Sequence, residues 1–230
     1  MRILVLGVGK TGKLVADVAA ERGHSVHVLD AKENKDGAAL TAPFVAGFDV
    51  VIDFTTPEAV LTNMRAVLAT GAKMVIGTTG WYDKLNDMKS LTERRTASLL
   101  YGTNFSVGVQ LMIKLTRQMI TTLKDAGYSF SISETHHTSK LDSPSGTAIT
   151  IAEAVKKSLD SIDDVPIESI RTADVAGIHT VEAKSSGDRI LLTHDSTSRR
   201  PFAEGAVRAA EWLVKQKPGV YDIREVVDHL

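Results

Sequence analysis

The chain has 230 residues, 27 of them basic and 28 acidic, a formal net charge of −1 and no cysteine. That balance gives no general affinity for nucleic acid or an anionic membrane, and the missing cysteines exclude disulfides, thiolate zinc sites and cysteine nucleophiles. A hydrophobic fraction of 43% with no stretch long enough to span a membrane fits one large or two small globular domains.

Residues 3–6 are a continuous apolar run, as in a strand buried on both faces. The run is too short and too interrupted for a signal peptide, so a cytoplasmic protein is expected. Gly7-Val8-Gly9-Lys10-Thr11-Gly12 follows. Leu14, Val15, Val18 and Ala19 then give helical spacing over 13–22, and Gly23 ends that helix. Residues 25–29 read as a second strand closed by Asp30, and 32–48 as polar and irregular with room for a short helix. A buried strand is expected over 49–54. Thr56 and Pro57 supply the cap and first position of the next helix, which Gly71 stops. Residues 73–76 form a further strand ending in Gly77-Thr78-Thr79-Gly80, followed by a helix over 85–95 and a strand over 97–101. Strands alternating with helices predict a parallel, doubly wound, Rossmann-like sheet.

Beyond Asn104 the pattern changes. Residues 106–123 read as one long amphipathic helix with Val109, Met112, Ile113, Leu115 and Met119 on its apolar side. A strand over 130–133 and a helix over 147–155 come next. Short runs at 167–172, 179–183 and 189–194, punctuated by Gly177 and by Gly187-Asp188, predict a mostly antiparallel sheet. A helix over 202–214 and a short element over 222–228 finish the chain. The expected fold is α/β, with an N-terminal parallel sheet and a second α+β domain.

Gly7-x-Gly9-x-x-Gly12 between strand and helix is the context of a dinucleotide loop. The first glycine makes the tight turn, the second admits a pyrophosphate, and the third lets helix and strand pack closely. Asp30, 18 residues past Gly12, can accept hydrogen bonds from an adenine ribose, whereas neighbouring Lys32 could answer a 2′-phosphate, leaving NADH against NADPH open. The same residues form a Walker A frame, but Leu14 stands where a magnesium-binding hydroxyl is required. Phe54-Thr55-Thr56 and Gly77-Thr78-Thr79 fall at carboxyl ends of strands, where open parallel sheets bind ligands.

Glu134-Thr-His136-His137-Thr-Ser-Lys140-Leu-Asp142-Ser-Pro144-Ser145-Gly146-Thr147-Ala148 brings histidines, a lysine and carboxylates to the start of a helix. Cationic side chains beside free helix N–H groups describe a carboxylate receptor, and His136 and Lys140 are candidate proton donors. A metal site is not expected, because adjacent histidines on a strand diverge.

This segment resembles the signature of the 4-hydroxy-tetrahydrodipicolinate reductase family, formerly dihydrodipicolinate reductase: Glu-x-His, three residues, Lys-x-Asp-x-Pro-Ser-Gly-Thr-Ala. Asp53-Phe54-Thr55, Gly77–Gly80, Asn104-Phe105-Ser106 and Gly205-Ala206-Val207 resemble further family landmarks in family order. Ser131 and Thr138 depart from the family pattern, and the 30–49 stretch is short. The resemblance implies hydride transfer from NADH or NADPH to a cyclic dicarboxylate imine. His136 would be the general acid, with Lys140 pairing with a substrate carboxylate and assisting proton delivery. His137, Gly146 and Thr147 would bind carboxylate. It implies cofactor contacts from Gly7, Val8, Gly9, Lys10, Thr11, Gly12, Asp30, Phe54, Thr55, Gly77, Thr78, Thr79, Asn104 and Phe105. It also implies a homotetramer assembled through the second domain (residues 105–202), with the last helix returned to the cofactor domain (1–104 and 203–230). A related dehydrogenase of another small carboxylate, and a nucleotide sensor without turnover, are the competing readings.

Overall fold

A computed structural model describes residues 1–159, 164–173 and 175–229. The chain forms two compact units, Met1–Ser106 with Arg200–Leu230, and Val107–Arg199.

The first unit is built on a six-stranded parallel sheet. Its strands are β1 (Arg2–Leu6), β2 (Ser25–Leu29), β3 (Val50–Asp53), β4 (Lys73–Ile76), β5 (Ser98–Tyr101) and β10 (Gly219–Asp222), in the order β10-β5-β4-β3-β1-β2. Alternation along β1 feeds two cores. Ile3 and Val5 face α1 (Lys10–Glu21) and α7 (Arg200–Leu213), and Leu4 and Leu6 face α3 (Pro57–Ala69) and α4 (Leu85–Arg94). Both faces are covered, so the central strands read as unbroken apolar runs. Small residues let α7 approach closely: a Cβ at Gly205 would lie 1.6 Å from the carbonyl oxygen of Phe105.

The 30–49 connection holds a single 3-10 turn at Lys35–Gly37 and the one-turn α2 (Ala42–Val45), in place of a full crossover helix. Helix α1 starts three residues earlier than its apolar spacing suggests, so Gly12 lies inside its first turn. Strand β10 escapes a sequence reading because it is four half-buried residues on the sheet edge, announced only by Pro218. It runs directly into α8 (Ile223–Val227), closed by a reciprocal Asp222–Glu225 capping box.

The second unit packs α5 (Val107–Leu123) and α6 (Gly146–Leu159) with a sheet ordered β7-β6-β8-β9, formed by β6 (Ser129–His136), β7 (Ile167–Arg171), β8 (Gly177–Lys184) and β9 (Arg189–Ser196). The β6·β8 and β8·β9 pairs are antiparallel, and β6·β7 is parallel. The core combines Val109, Met112, Ile113 and Ile120 of α5 with Ile132, Ile151, Val155 and Val181. Leu115 was expected on the apolar side of this helix but is 40% exposed, because the buried stripe runs 109, 112, 113, 116, 120. Strand β6 extends to His136, three residues past the expected end at 133, and this extension positions the site. No helix among the described residues is long and apolar enough to cross a membrane.

Candidate active site

In the first unit the glycine loop has the backbone of a phosphate cradle. Gly7 takes φ +104° and donates its N–H to the carbonyl of Leu29, and a Cβ there would lie 2.3 Å from the carbonyl oxygen of Phe54. Gly12 presses against the loop itself: its Cβ would lie 2.2 Å from the Gly7 carbonyl oxygen. Gly9 differs, because a Cβ there meets nothing within 4 Å. Gly9 is also the N-cap of α1, and no side chain caps that helix. Unanswered N–H groups behind an open glycine fit a dinucleotide pyrophosphate. Val8 is exposed beside the loop, and Lys10 and Thr11 open α1.

At the end of β2, Asp30 Oδ1 accepts the amides of Lys32 and Glu33, and Glu33 Oε2 accepts the amide of Asp30. The Glu33 and Lys32 amides hold the Asp30 carboxyl below its ordinary range. Gly7, Gly9, Asp30, Phe54, Thr55 and Asn63 line one common pocket.

Beneath this pocket lies fully buried Asp53. Its carboxylate accepts from Thr55 N–H and Oγ1, from Thr78 Oγ1 and from Asn63 Nδ2 at 2.7–3.0 Å. Burial raises its pKa, and those donors oppose the rise. Asp53 thereby ties the loops after β3 and β4 together. The Phe54 ring lies on Gly77, where a Cβ would come within 2.1 Å of it. Thr79 follows Thr78 in the β4 loop. Asn104 Oδ1 accepts the Ser106 amide, and the Phe105 ring is buried in the core, so Phe105 offers a ligand only its backbone.

In the second unit, strand alternation puts Glu134 and His136 on one face of β6. His179 of β8 pairs in register with Glu134, and Arg171 of β7 with His136. His136 Nδ1 lies 2.9 Å from Glu134 Oε2 but is not aligned for a hydrogen bond. Arg171 Nη2 and the Ser145 amide both donate to Glu134 Oε1, at 2.9 and 3.1 Å. Burial alone would raise the Glu134 pKa, yet bonds from Ser145 and Arg171 prevail and hold it at about 2. Burial, reinforced by Lys140 and Arg171, lowers the pKa of His136 against the pull of Glu134. Burial, helped by His136, lowers that of His179 to about 4.

His137 turns away and takes Ser139 Oγ at 2.8 Å. Lys140 Nζ holds Asp142 Oδ1 at 2.8 Å. The Lys140 bond, assisted by the Gly146 amide, keeps the Asp142 carboxyl low. Ser145 Oγ accepts the Ala148 amide and so caps α6, whereas Gly146 is exposed with open space around its Cα. Thr147 is half-buried in the first turn.

The structure thus brings His136, Lys140, Gly146 and Thr147 to one end of the second unit and splits His136 from His137. Sequence reasoning gave no role to Glu134, Arg171 or His179. Their link is the register of three strands, and the one local signal was Glu134 two residues before His136. Glu134, His136 and His179 are the described residues whose donor atoms, within 4.8 Å of one another, could hold a metal ion. They meet across strands, a route that the divergence of adjacent histidines does not address. Arg171 on the same carboxylate places positive charge against any cation there.

Residues 1–105 match the family description "Dihydrodipicolinate reductase, N-terminus", and 108–227 match its C-terminus. A 4-hydroxy-tetrahydrodipicolinate reductase of Christiangramia forsetii is 35% identical, covering 100% of this chain and 99% of its own. One from Magnetococcus marinus is 36% identical over 98% and 93%. The dipicolinate-bound dihydrodipicolinate reductase of Paenisporosarcina sp. TG-14 has a similar fold, with a TM-score of 0.81 at 23% identity, covering 98% of each chain. With both halves matched in order and relatives aligned along their full length, the chain belongs to the dihydrodipicolinate reductase family.

Proposed function

We infer that this enzyme reduces 4-hydroxy-tetrahydrodipicolinate to tetrahydrodipicolinate with a nicotinamide cofactor, in the diaminopimelate route to lysine. The observation that carries this reading is the Asp142 carboxylate, held by Lys140 Nζ at 2.8 Å shortly before the start of α6. The receptor already binds a carboxylate of the chain's own, and a substrate carboxylate suits the same donors. The Paenisporosarcina relative holds a dicarboxylate, dipicolinate.

When bound, the nicotinamide supplies the hydride. The chain's residues orient the substrate and move the proton. Lys140, His137, Gly146 and Thr147 bind the carboxylates. His136 is the general acid. Burial keeps it neutral, and a dianionic ligand beside it favours its charged form, so substrate binding itself loads the proton. The open Gly9 amide edge and the N-terminus of α1 take the pyrophosphate, and the loops at Phe54–Thr55, Gly77–Thr79 and Asn104–Phe105 face the rest of the cofactor. Asp30 and Glu33 together support NADH, since two carboxylates repel a 2′-phosphate. Exposed Ile190 and Leu191 on edge strand β9, with Ile170 on β7, support assembly through this sheet, in keeping with a cytoplasmic homotetramer.

The test is oxidation of NADH and NADPH with substrate generated in situ by a dihydrodipicolinate synthase. Substrate-dependent oxidation is expected, faster with NADH. Cofactor binding with no oxidation of either would favour a sensor.

A further inference from the structure

Three strand positions converge on the His136 ring. Gly177, at the start of β8, has no side chain, and the ring occupies that space: a Cβ at 177 would lie 2.9 Å from Nε2 of His136. His179 meets the ring edge-on, with centroids 5.0 Å apart at 73°, and its Nε2 lies 3.2 Å from Ser145 Oγ and 4.0 Å from Glu134 Oε2. Glu134 faces Nδ1 at 2.9 Å and is itself fixed on its other oxygen by Arg171 and the Ser145 amide. All of Glu134, His136 and His179 are buried.

We propose that Glu134 is the positioning residue of the reaction: anchored by Arg171 and Ser145, it keeps a proton on Nδ1 of His136 and leaves Nε2 as the nitrogen that exchanges protons with substrate. The proposal deepens the reading of His136 as general acid and rests on it. Glu134 touches no substrate; it acts through the ring. A carboxylate beside Nδ1 fixes one tautomer and stabilises the imidazolium as it forms. Poor alignment at 2.9 Å is common for catalytic pairs in the absence of a ligand. His179 packs edge-on against the His136 ring, with its Nε2 4.0 Å from the carboxylate. The charged or titratable groups that act on His136 are Glu134, Arg171, Lys140, Asp142 and His179.

The anchoring makes Glu134→Gln a sharp probe. Arg171 and the Ser145 amide donate to Oε1, so the glutamine oxygen must take that place. Its NH2 then faces Nδ1 and can only donate. The substitution therefore reverses the polarity of the contact and drives the ring proton to Nε2.

The experiment combines ¹⁵N NMR of the histidine rings at neutral pH, with the His136 signals assigned by their loss in His136→Gln, and steady-state kinetics. The wild-type protein should show the proton on Nδ1 of His136. Glu134→Gln should show it on Nε2, with kcat reduced roughly hundredfold or more and KM for NADH unchanged. The double variant Glu134→Gln/Arg171→Gln should stay impaired, because relieving the uncompensated arginine does not restore the contact with Nδ1. A wild-type ring protonated on Nε2, a Glu134→Gln enzyme with normal kcat, or recovery in the double variant overturns the proposal. The wild-type spectrum decides the matter even if Glu134→Gln fails to fold. A fully active His136→Gln protein would instead remove the general-acid reading itself, whereas an inactive one beside an active Glu134→Gln removes only the positioning role.

Discussion

Replacing Gly9 with alanine separates the needs of the fold from those of the ligand. Gly9 has φ −65° and ψ 178°, a conformation that alanine adopts freely, and its Cβ would meet no atom within 4 Å. The folded chain therefore has no reason to require glycine there. Losing glycine's freedom in the unfolded chain should leave stability unchanged or raise it by about 0.4–1 kcal/mol. If a pyrophosphate passes over this residue, the methyl group occupies its path. Losing one charge-assisted hydrogen bond at about 1.5–3 kcal/mol corresponds to a weakening of roughly ten- to 150-fold in NADH Kd. Fluorescence titration with NADH and thermal melting of the same sample read both quantities. Gly12→Ala is the companion variant. Its Cβ would lie 2.2 Å from the Gly7 carbonyl oxygen, so it should lower stability as well as affinity. A Gly9→Ala protein that binds NADH as well as wild type would refute the placement of the pyrophosphate.

Asp53→Asn exchanges a buried four-fold acceptor for a group with only one oxygen, so at least one donor from Thr55, Thr78 or Asn63 is left unpaired. It should cost about 1–3 kcal/mol by chemical denaturation and weaken NADH binding; an unchanged midpoint would show that the network does not tie the two loops. Glu134 makes stability depend on acid. Its pKa falls from 4.5 to about 2 on folding, so its contribution is complete above pH 4.5 and disappears as pH falls through about 2. The loss should approach about 3 kcal/mol, measured as the difference in pH-dependence between wild type and Glu134→Gln; parallel curves would contradict the ion pair.

The parallel half of the fold was legible because buried strands carry apolar runs such as residues 3–6 and 74–76, and because Gly23 and Gly71 mark the ends of two helices. The β10 strand was not, since an edge strand of four residues has no periodicity to read. Within the site, His136, Lys140 and the start of α6 were legible because a turn and a helix N-terminus are local in sequence. Arg171 and His179 were not. They reach Glu134 by pairing across strands, and a shift of one residue in register would turn them to the other face. The same limit hid Asp53, whose apolar neighbours in β3 disguise a carboxylate with donors 2, 10 and 25 residues away.

On the proposed function, the first unit would hold the cofactor, Lys140 with its neighbours in the second would bind the substrate, and His136 would protonate it. Lys140→Ala tests that division most directly, with turnover and NADH affinity measured on one preparation. Among the described residues the Lys140 ammonium pairs with the exposed carboxylate of Asp142, so its removal should leave the fold intact. The expected result is a fall in kcat/KM for substrate of at least about a hundredfold, with NADH Kd unchanged. Near-normal turnover, or loss of NADH binding in step with turnover, would contradict it.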